Sequence, residues 1–249
     1  MPQVEPLSSP DAHIQPIDGG PDCDYCNNRR FVVGPDNTLK PCPQCGVAQK
    51  WKVAAVDTYS SRTGSAATQT FFNFKTRFKD QEDDTLLDCL QSAEEFASHP
   101  DGRWLVMWGG RGNGKSHLCA SVANHLIAAG TAALFITMPD LLAALRQAMD
   151  LQTNTEQESY TGRMHTFKTV TVLILDDLGA EGKSDWSDSV LFEILDYRYR
   201  NRLATMIVTN CRLDEFDPRV ESRMKDTSLS NVVENSAADF RVRPLSERR

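Results

Sequence analysis

Residues 103–116 read Arg103-Trp104-Leu105-Val106-Met107-Trp108-Gly109-Gly110-Arg111-Gly112-Asn113-Gly114-Lys115-Ser116, and this stretch decides the fold. Its first six residues have the apolar density of a short buried strand. Its last eight satisfy G-x-x-x-x-G-K-[ST], the phosphate-binding loop. Residues 117–129 then carry a helical pattern, which Gly130 closes as a C-terminal cap. Strand, glycine-rich loop and helix are the context in which the motif binds phosphate. Gly109, Gly110, Arg111, Gly112, Asn113 and Gly114 let the backbone N–H groups turn toward phosphate oxygens at the positive end of a helix. Lys115 is placed to reach the β- and γ-phosphates, and the Ser116 hydroxyl to ligate Mg²⁺. His117, next in the chain, is counted with this nucleotide-binding set. The competing interpretation, a glycine-rich turn that binds nothing, does not account for the complete pattern in its full context.

A second apolar run, Val170-Thr171-Val172-Leu173-Ile174-Leu175, ends in Asp176-Asp177. A strand covered by helices on both faces has this composition. Acids at its C-terminal end lie where open α/β sheets bind ligands. Asp176 is assigned to the Mg²⁺, directly or through water. Asp177 either orients the attacking water or caps the turn that follows.

The chain has 249 residues and a formal net charge of −7, enough length for one substantial domain and a small accessory one. No global basic field announces a nucleic-acid partner, so such binding would need a local patch. No apolar run approaches the roughly 20 residues of a membrane span, and the N-terminus lacks the pattern of a signal peptide. A cytoplasmic, reducing setting is therefore expected, in which cysteines are metal ligands more often than disulfides. Four of the seven cysteines fall as Cys23-x-x-Cys26 and Cys42-x-x-Cys45, a zinc spacing that fills a tetrahedral site and marks it as structural. Arg30-Phe31-Val32-Val33 and Thr38-Leu39-Lys40 read as a hairpin between the pairs. A redox dithiol pair is the alternative, but no thioredoxin-like βαβ pattern surrounds either C-x-x-C.

The expected organisation is a disordered tail at 1–20, a zinc-binding module at 21–50, a flexible Ala/Ser/Thr-rich linker at 51–69 and an α/β domain at 70–249. Within that domain, a helix over 84–98, strands at 103–108, 132–137, 170–177 and 204–209, and helices opening at Met138 and covering Val190, Leu191, Ile194 and Leu195 make a doubly wound parallel sheet flanked by helices. Residues 152–160 read as a loop.

These residues resemble the AAA+ ATPases of the bacterial helicase-loader group (DnaC-like), which share motifs with the IstB transposition helpers. The phosphate loop, Ile174-Leu175-Asp176-Asp177-Leu178-Gly179, Asp196-Tyr197-Arg198-Tyr199, Ile207-Val208-Thr209-Asn210 and Val220-Glu221-Ser222-Arg223-Met224 carry the resemblance in that order. Phe71-Phe72-Asn73-Phe74 is similar to the aromatic box that opens the ATPase in this group. The resemblance implies that Asn210 helps position water near the γ-phosphate, or else merely ends its strand. It implies that Arg223 is an arginine finger completing a neighbouring subunit's site, with Arg219 one turn earlier as an assistant; a surface ion pair is the alternative for each. Arg241 is similar to a C-terminal sensor arginine. Glutamate is commoner than aspartate at the place of Asp177. The chain also leaves no room after Arg241 for a full helical lid, as in loaders.

The resemblance implies an ATP-dependent loader that delivers a hexameric replicative helicase onto single-stranded DNA and self-associates through its ATPase interfaces, without a membrane role. An IstB-like, ATP-regulated DNA-binding helper of a transposase is the alternative. A plain nucleotide-binding protein with a structural zinc ribbon is the third. Residues 135–146 and Lys183-Ser184-Asp185-Trp186 combine basic and aromatic groups suited to single strands, although Trp186 would serve equally as a packing residue.

Overall fold

The apolar strands assemble because each is wanted on two faces at once. In the computed structural model, residues 31–33, 39–41, 60–61, 63–78, 81–150, 158–180, 182 and 184–242 are described. The chain divides into two units, Met1–Ala55 and Val56–Arg249. In the first, β1 (Phe31–Val33) pairs antiparallel with β2 (Leu39–Pro41), which is the hairpin read from the sequence. Cys23, Cys26, Cys42, Cys45 and the 1–20 tail lie outside the described residues.

In the second unit, a short ribbon of β3 (Arg77–Phe78) and β4 (Gln81–Glu82) precedes α1 (Asp84–Ser98), whose first turn is capped by the Asp83 side chain. Then follow β5 (Trp104–Gly109), α2 (Lys115–Ala128), β6 (Ala133–Thr137), α3 (Met138–Asp150), α4 (Tyr160–Thr169), β7 (Val172–Leu178), α5 (Asp185–Arg200), β8 (Ala204–Thr209), α6 (Pro218–Met224) and β9 (Ser230–Asn235). The large sheet runs β6-β7-β8-β5-β9, every pair parallel. Alternate residues of β5 point to opposite faces, as a pleated strand dictates. Trp104 and Val106 join α3, α4, α5 and α6 in one core, while Leu105 and Met107 join α1 and α2 in the other. This is the α/β sheet with helices on both faces that the sequence implies. Among the described residues, no helix is long and apolar enough to cross a membrane.

Three features depart from the sequence reading. The stretch assigned to a flexible linker falls in the second unit from Val56 and is described from residue 60. Ser61 N donates to Phe135 O at 2.8 Å, the Asn124 amide donates to Ala66 O and Gln69 O, and Gly64–Thr68 forms a 3₁₀ turn with Ala66 against the core. Its small polar residues cap and bridge backbone here, so composition misled. Helix α4 begins where a loop was expected to end: Ser159 caps it, Arg163, Met164 and Phe167 are buried, Tyr160 is half-buried against the core, and Arg163 Nη1 donates to Ala144 O at 2.5 Å. Strand β9 was not foreseen either, because an edge strand buried on one side needs no continuous apolar run and its sequence is Ser-Asn-Val-Val-Glu-Asn.

Arg198 ties α4 to the sheet. Its guanidinium is fully buried, donating to Val170 O at 2.8 Å, Lys168 O at 3.0 Å, Ala204 O at 2.6 Å and Thr205 Oγ1 at 2.9 Å. It therefore holds the end of α4 to the start of β8. Burial pushes its pKa down to about 9.

Candidate nucleotide site

The C-terminal ends of β5, β7 and β8 open on a cavity of about 720 Å³, within the size range of small-molecule sites. Arg111, Gly112, Asn113, Gly114, Lys115, Ser116 and His117 line one wall; Asp176, Asp177 and Asn210 line another, and Phe240 and Arg241 a third. The sequence scattered these residues over 130 positions, and the parallel order gathers them. Gly109 and Gly110 form the strand end behind the wall.

Lys115 opens α2 from a left-handed Gly114 (φ 92°), where a side chain would drive its Cβ to 2.7 Å from the Phe74 ring. Only glycine meets both conditions. Lys115 is 4% exposed, and its ammonium donates to Gly109 O at 3.0 Å, Asn113 Oδ1 at 2.9 Å and Gly110 O. The cation is thus centred in the loop's own curl. Burial lowers its pKa, and the charges of Asp176 and Asp177 oppose that shift.

Asp176 is 2% exposed. Burial pushes its pKa up to about 6, although hydrogen bonds from the Ser116 side chain and the Asp177 backbone pull the other way. A hydroxyl and a buried carboxylate in contact are the hard oxygen donors that Mg²⁺ takes with a nucleotide's phosphates, so these residues fit the ion. Asp177 lies in the left-handed region (φ 52°), where the β7–β8 register is irregular between Leu175 and Leu178. That turn swings its carboxylate toward β8, and Asn210 Nδ2 donates to Asp177 Oδ1 at 3.1 Å.

The aromatic box forms the outer rim. Thr70 and Asn73 make a reciprocal capping box, and Asn73 Oδ1 and Thr70 O lie 2.9 Å and 3.0 Å from His117 Nε2. Phe74 meets the His117 ring edge-on, with centroids 5.3 Å apart. His117 is therefore the hinge post between box and loop, and burial lowers its pKa. Asn73, Phe74 and Lys75 line the cavity, a role not read for the box from the sequence, because its approach to Gly114 is not visible in one dimension.

On the far wall the sequence reading named Arg241 but neither Asn235 nor Phe240. Asn113 Nδ2 donates to Asn235 O at 2.8 Å, and Asn235 Nδ2 donates to Asn113 O at 3.1 Å. Phe240 N donates to Gly112 O at 2.7 Å. Arg241 lines the cavity, with its Nε 3.4 Å from Asp239 Oδ1.

Arg223 and Arg219 stand apart from this cavity, on α6. Arg219 pairs with Asp217 and Arg223 with Asp196. Trp186 is half-buried against the core, with the Arg146 guanidinium 4.7 Å from its ring centroid; this contact favours the packing role. Lys183 lies outside the described residues.

Known proteins share the fold. The crystal structure of the DnaC helicase loader superposes with a TM-score of 0.57 at 22% identity, covering 70% of this chain and 100% of that one. AMPPCP-bound DnaA from Aquifex aeolicus gives 0.57 at 16% identity, covering 70% of this chain and 52% of that one. In sequence, the replicative helicase loader DnaC of Escherichia coli (strain K12) is 23% identical over 159 residues, 63% of this chain and 61% of its own length. The replicative helicase loader DnaI of Bacillus subtilis (strain 168) is 30% identical over 129 residues, 51% of this chain and 39% of its own. The chain thus spans well under the full length of either relative. The model of the IstB-like ATP binding protein family matches residues 59–236. That span takes in the aromatic box, the phosphate loop, the acid pair, Asn210 and Arg223, and the chain belongs to the IstB-like ATP-binding protein family.

Proposed function

We propose that this chain is an ATPase that loads a hexameric replicative helicase onto single-stranded DNA, assembling with further copies of itself under the control of ATP. The observation that carries the reading is the meeting, in one cavity of an IstB-like ATP-binding chain, of the Lys115 ammonium, the Ser116–Asp176 pair and the Asp177–Asn210 pair. Both curated relatives described above are helicase loaders, which puts loading ahead of transposition.

In this reading Lys115 neutralises the β- and γ-phosphates, and Ser116 and Asp176 hold Mg²⁺ against them. Asp177 accepts the proton of the attacking water, and Asn210 holds that carboxylate in place. Arg241 lies on the cavity wall for a phosphate contact. Arg223 faces away from its own cavity and serves a neighbouring copy, where a guanidinium in trans is worth about 10³–10⁵ in rate in related phosphoryl transfers. Cys23, Cys26, Cys42 and Cys45 hold a structural zinc, and that module with the tail contacts helicase or DNA.

The test is capture of the host's replicative helicase by the tagged chain, with ATP turnover measured on single-stranded and duplex DNA. Helicase capture with turnover stimulated by single strands supports loading. Duplex-dependent assembly without helicase binding would replace it with the transposase-helper role. Arg223→Ala should leave nucleotide binding by the unassembled chain unchanged and slow turnover on assembly.

A further inference from the structure

Arg223 is held more firmly than a surface arginine. Its Nη2 donates to Asp196 Oδ1, and its Nη1 donates to Arg219 O at 2.7 Å. The guanidinium lies over Phe192, 5.0 Å from the ring centroid, and 5.4 Å from Tyr199. Asp196 is shared: its other oxygen, Oδ2, pairs with Arg200 Nη2 at 2.5 Å. The side chains of Arg223 and Asp196 are 21% and 15% exposed, against 69% for Arg200. One half-buried carboxylate on α5 therefore clamps an arginine of α6 from below while a second arginine neutralises its open side. Burial would raise the Asp196 pKa, but the bonds from Arg223 and Arg200 hold the carboxyl below the usual range.

A guanidinium carries five N–H donors; these contacts take one on each Nη, Nε is buried without a partner among the described residues, and one donor is left on each Nη. A free arginine gives up rotamer freedom when it is fixed on a partner, so a side chain fixed beforehand meets a phosphoryl group at lower cost. Phe192 supplies the flat floor, and Arg219, 4.1 Å above the same ring, closes one flank.

We propose that Asp196 is a positioning residue for Arg223, pinning the guanidinium on Phe192 so that its remaining Nη donors are already oriented when a second copy's nucleotide site arrives. This rests on the reading of Arg223 as acting in trans. Asp196 touches neither nucleotide nor reacting atoms in this arrangement; it acts through Arg223 alone.

The experiment measures steady-state ATP turnover of the full chain assembled on single-stranded DNA for Asp196→Asn, Asp196→Glu, Arg223→Ala and the Asp196→Asn/Arg223→Ala double variant. Binding of a fluorescent ATP analogue by each unassembled chain reports the fold. Asp196→Asn should lower kcat about tenfold with KM for ATP within twofold, and Asp196→Glu, which keeps the charge, should recover part of the loss. The double variant should be no slower than Arg223→Ala, because a pin has no effect once its arginine is gone. Wild-type or raised kcat in Asp196→Asn, while Arg223→Ala is slow, would overturn the pin. A double variant slower than either single would overturn it as well, since Asp196 would then act without Arg223. Wild-type kcat in Arg223→Ala would instead remove the trans reading, and the pin with it.

Discussion

Asn210 reaches across from β8 to hold the carboxylate of Asp177 at 3.1 Å, while the Asp177 backbone is bent into the left-handed region at φ 52°. An aspartate tolerates that conformation far better than most residues, because its short polar side chain bonds locally. The turn aims the second acid of the pair away from the first, so Asp176 and Asp177 serve different neighbours despite being adjacent.

Asp177→Asn isolates the charge, since asparagine also accepts left-handed backbone and its amide oxygen can still take the Asn210 bond. Turnover should fall about 10²-fold, the lower end of what a lost general base removes, with nucleotide affinity within a few-fold. Stopped-flow binding and phosphate release measure the two separately. Equal turnover in variant and wild type would reduce Asp177 to a turn residue.

Lys115→Ala removes a buried ammonium that gathers Gly109 O, Gly110 O and Asn113 Oδ1. Charge-assisted hydrogen bonds contribute about 1.5–3 kcal/mol each, so losing two to phosphate should weaken ATP binding by at least about 10²-fold. Calorimetric titration reads this directly. Unchanged affinity would sink the phosphate-loop assignment.

Asp176 bears the cost of its position when no metal is bound. At pH 7.5 the carboxyl is ionised in both states of the chain, yet in the folded state its pKa is pushed up to about 6 from 3.8. A raised carboxylate pKa means the folded state favours the proton more than the unfolded state does. The penalty is therefore absent below pH 3.8, grows as pH rises through the window to about 6, and stays in full above it. Asp176→Asn should stabilise chelator-treated protein at pH 7.5 by about 1–3 kcal/mol while weakening Mg²⁺-dependent nucleotide binding. Urea midpoints with EDTA check the first half; a lower midpoint in the variant would contradict it.

Arg198 allows a prediction about the frame. Arg198→Met fills the space but strips donors from carbonyls of α4, β8 and the strand entry between them. Each buried acceptor left alone costs about 1–3 kcal/mol, so a loss of at least about 3 kcal/mol is expected. Hydrogen exchange should show the end of α4 opening first. Loss spread evenly over the domain would argue against this local tie.

For the cysteine module, the expected result is one zinc per chain in anaerobically prepared protein, and loss of that zinc in Cys26→Ser or Cys42→Ser. The ATP-binding unit should keep its melting transition, having its own core. Elemental analysis without zinc would reject the site.

What the sequence made legible followed from periodicity and spacing. The runs at 104–109, 133–137, 172–178 and 204–209 announced strands because burial on both faces favours a near-continuous apolar composition. The phosphate loop and acid pair announced themselves by residue type. What stayed hidden was carried by polar residues acting at long range. Asn235, Asn73 and Ser61 look like loop chemistry in one dimension, and only the fold shows what each one bonds. Strand β9 and helix α4 escaped for a related reason, since both are built with a thin apolar stripe. Arg198 appeared as part of a motif, but nothing in the sequence says that an arginine there is buried among carbonyls.

The reciprocal bonding of Asn113 and Asn235, 122 positions apart, also sets an order in time. On the ribosome the phosphate loop is made early, yet the partners that fix its shape, Asn235 and Phe240, emerge only after three further strands of the sheet, β6, β7 and β8. A nascent chain carries the complete loop sequence long before it can hold the loop's geometry. Competence to bind ATP thus arrives late and all at once, as a signature that the whole domain has been translated.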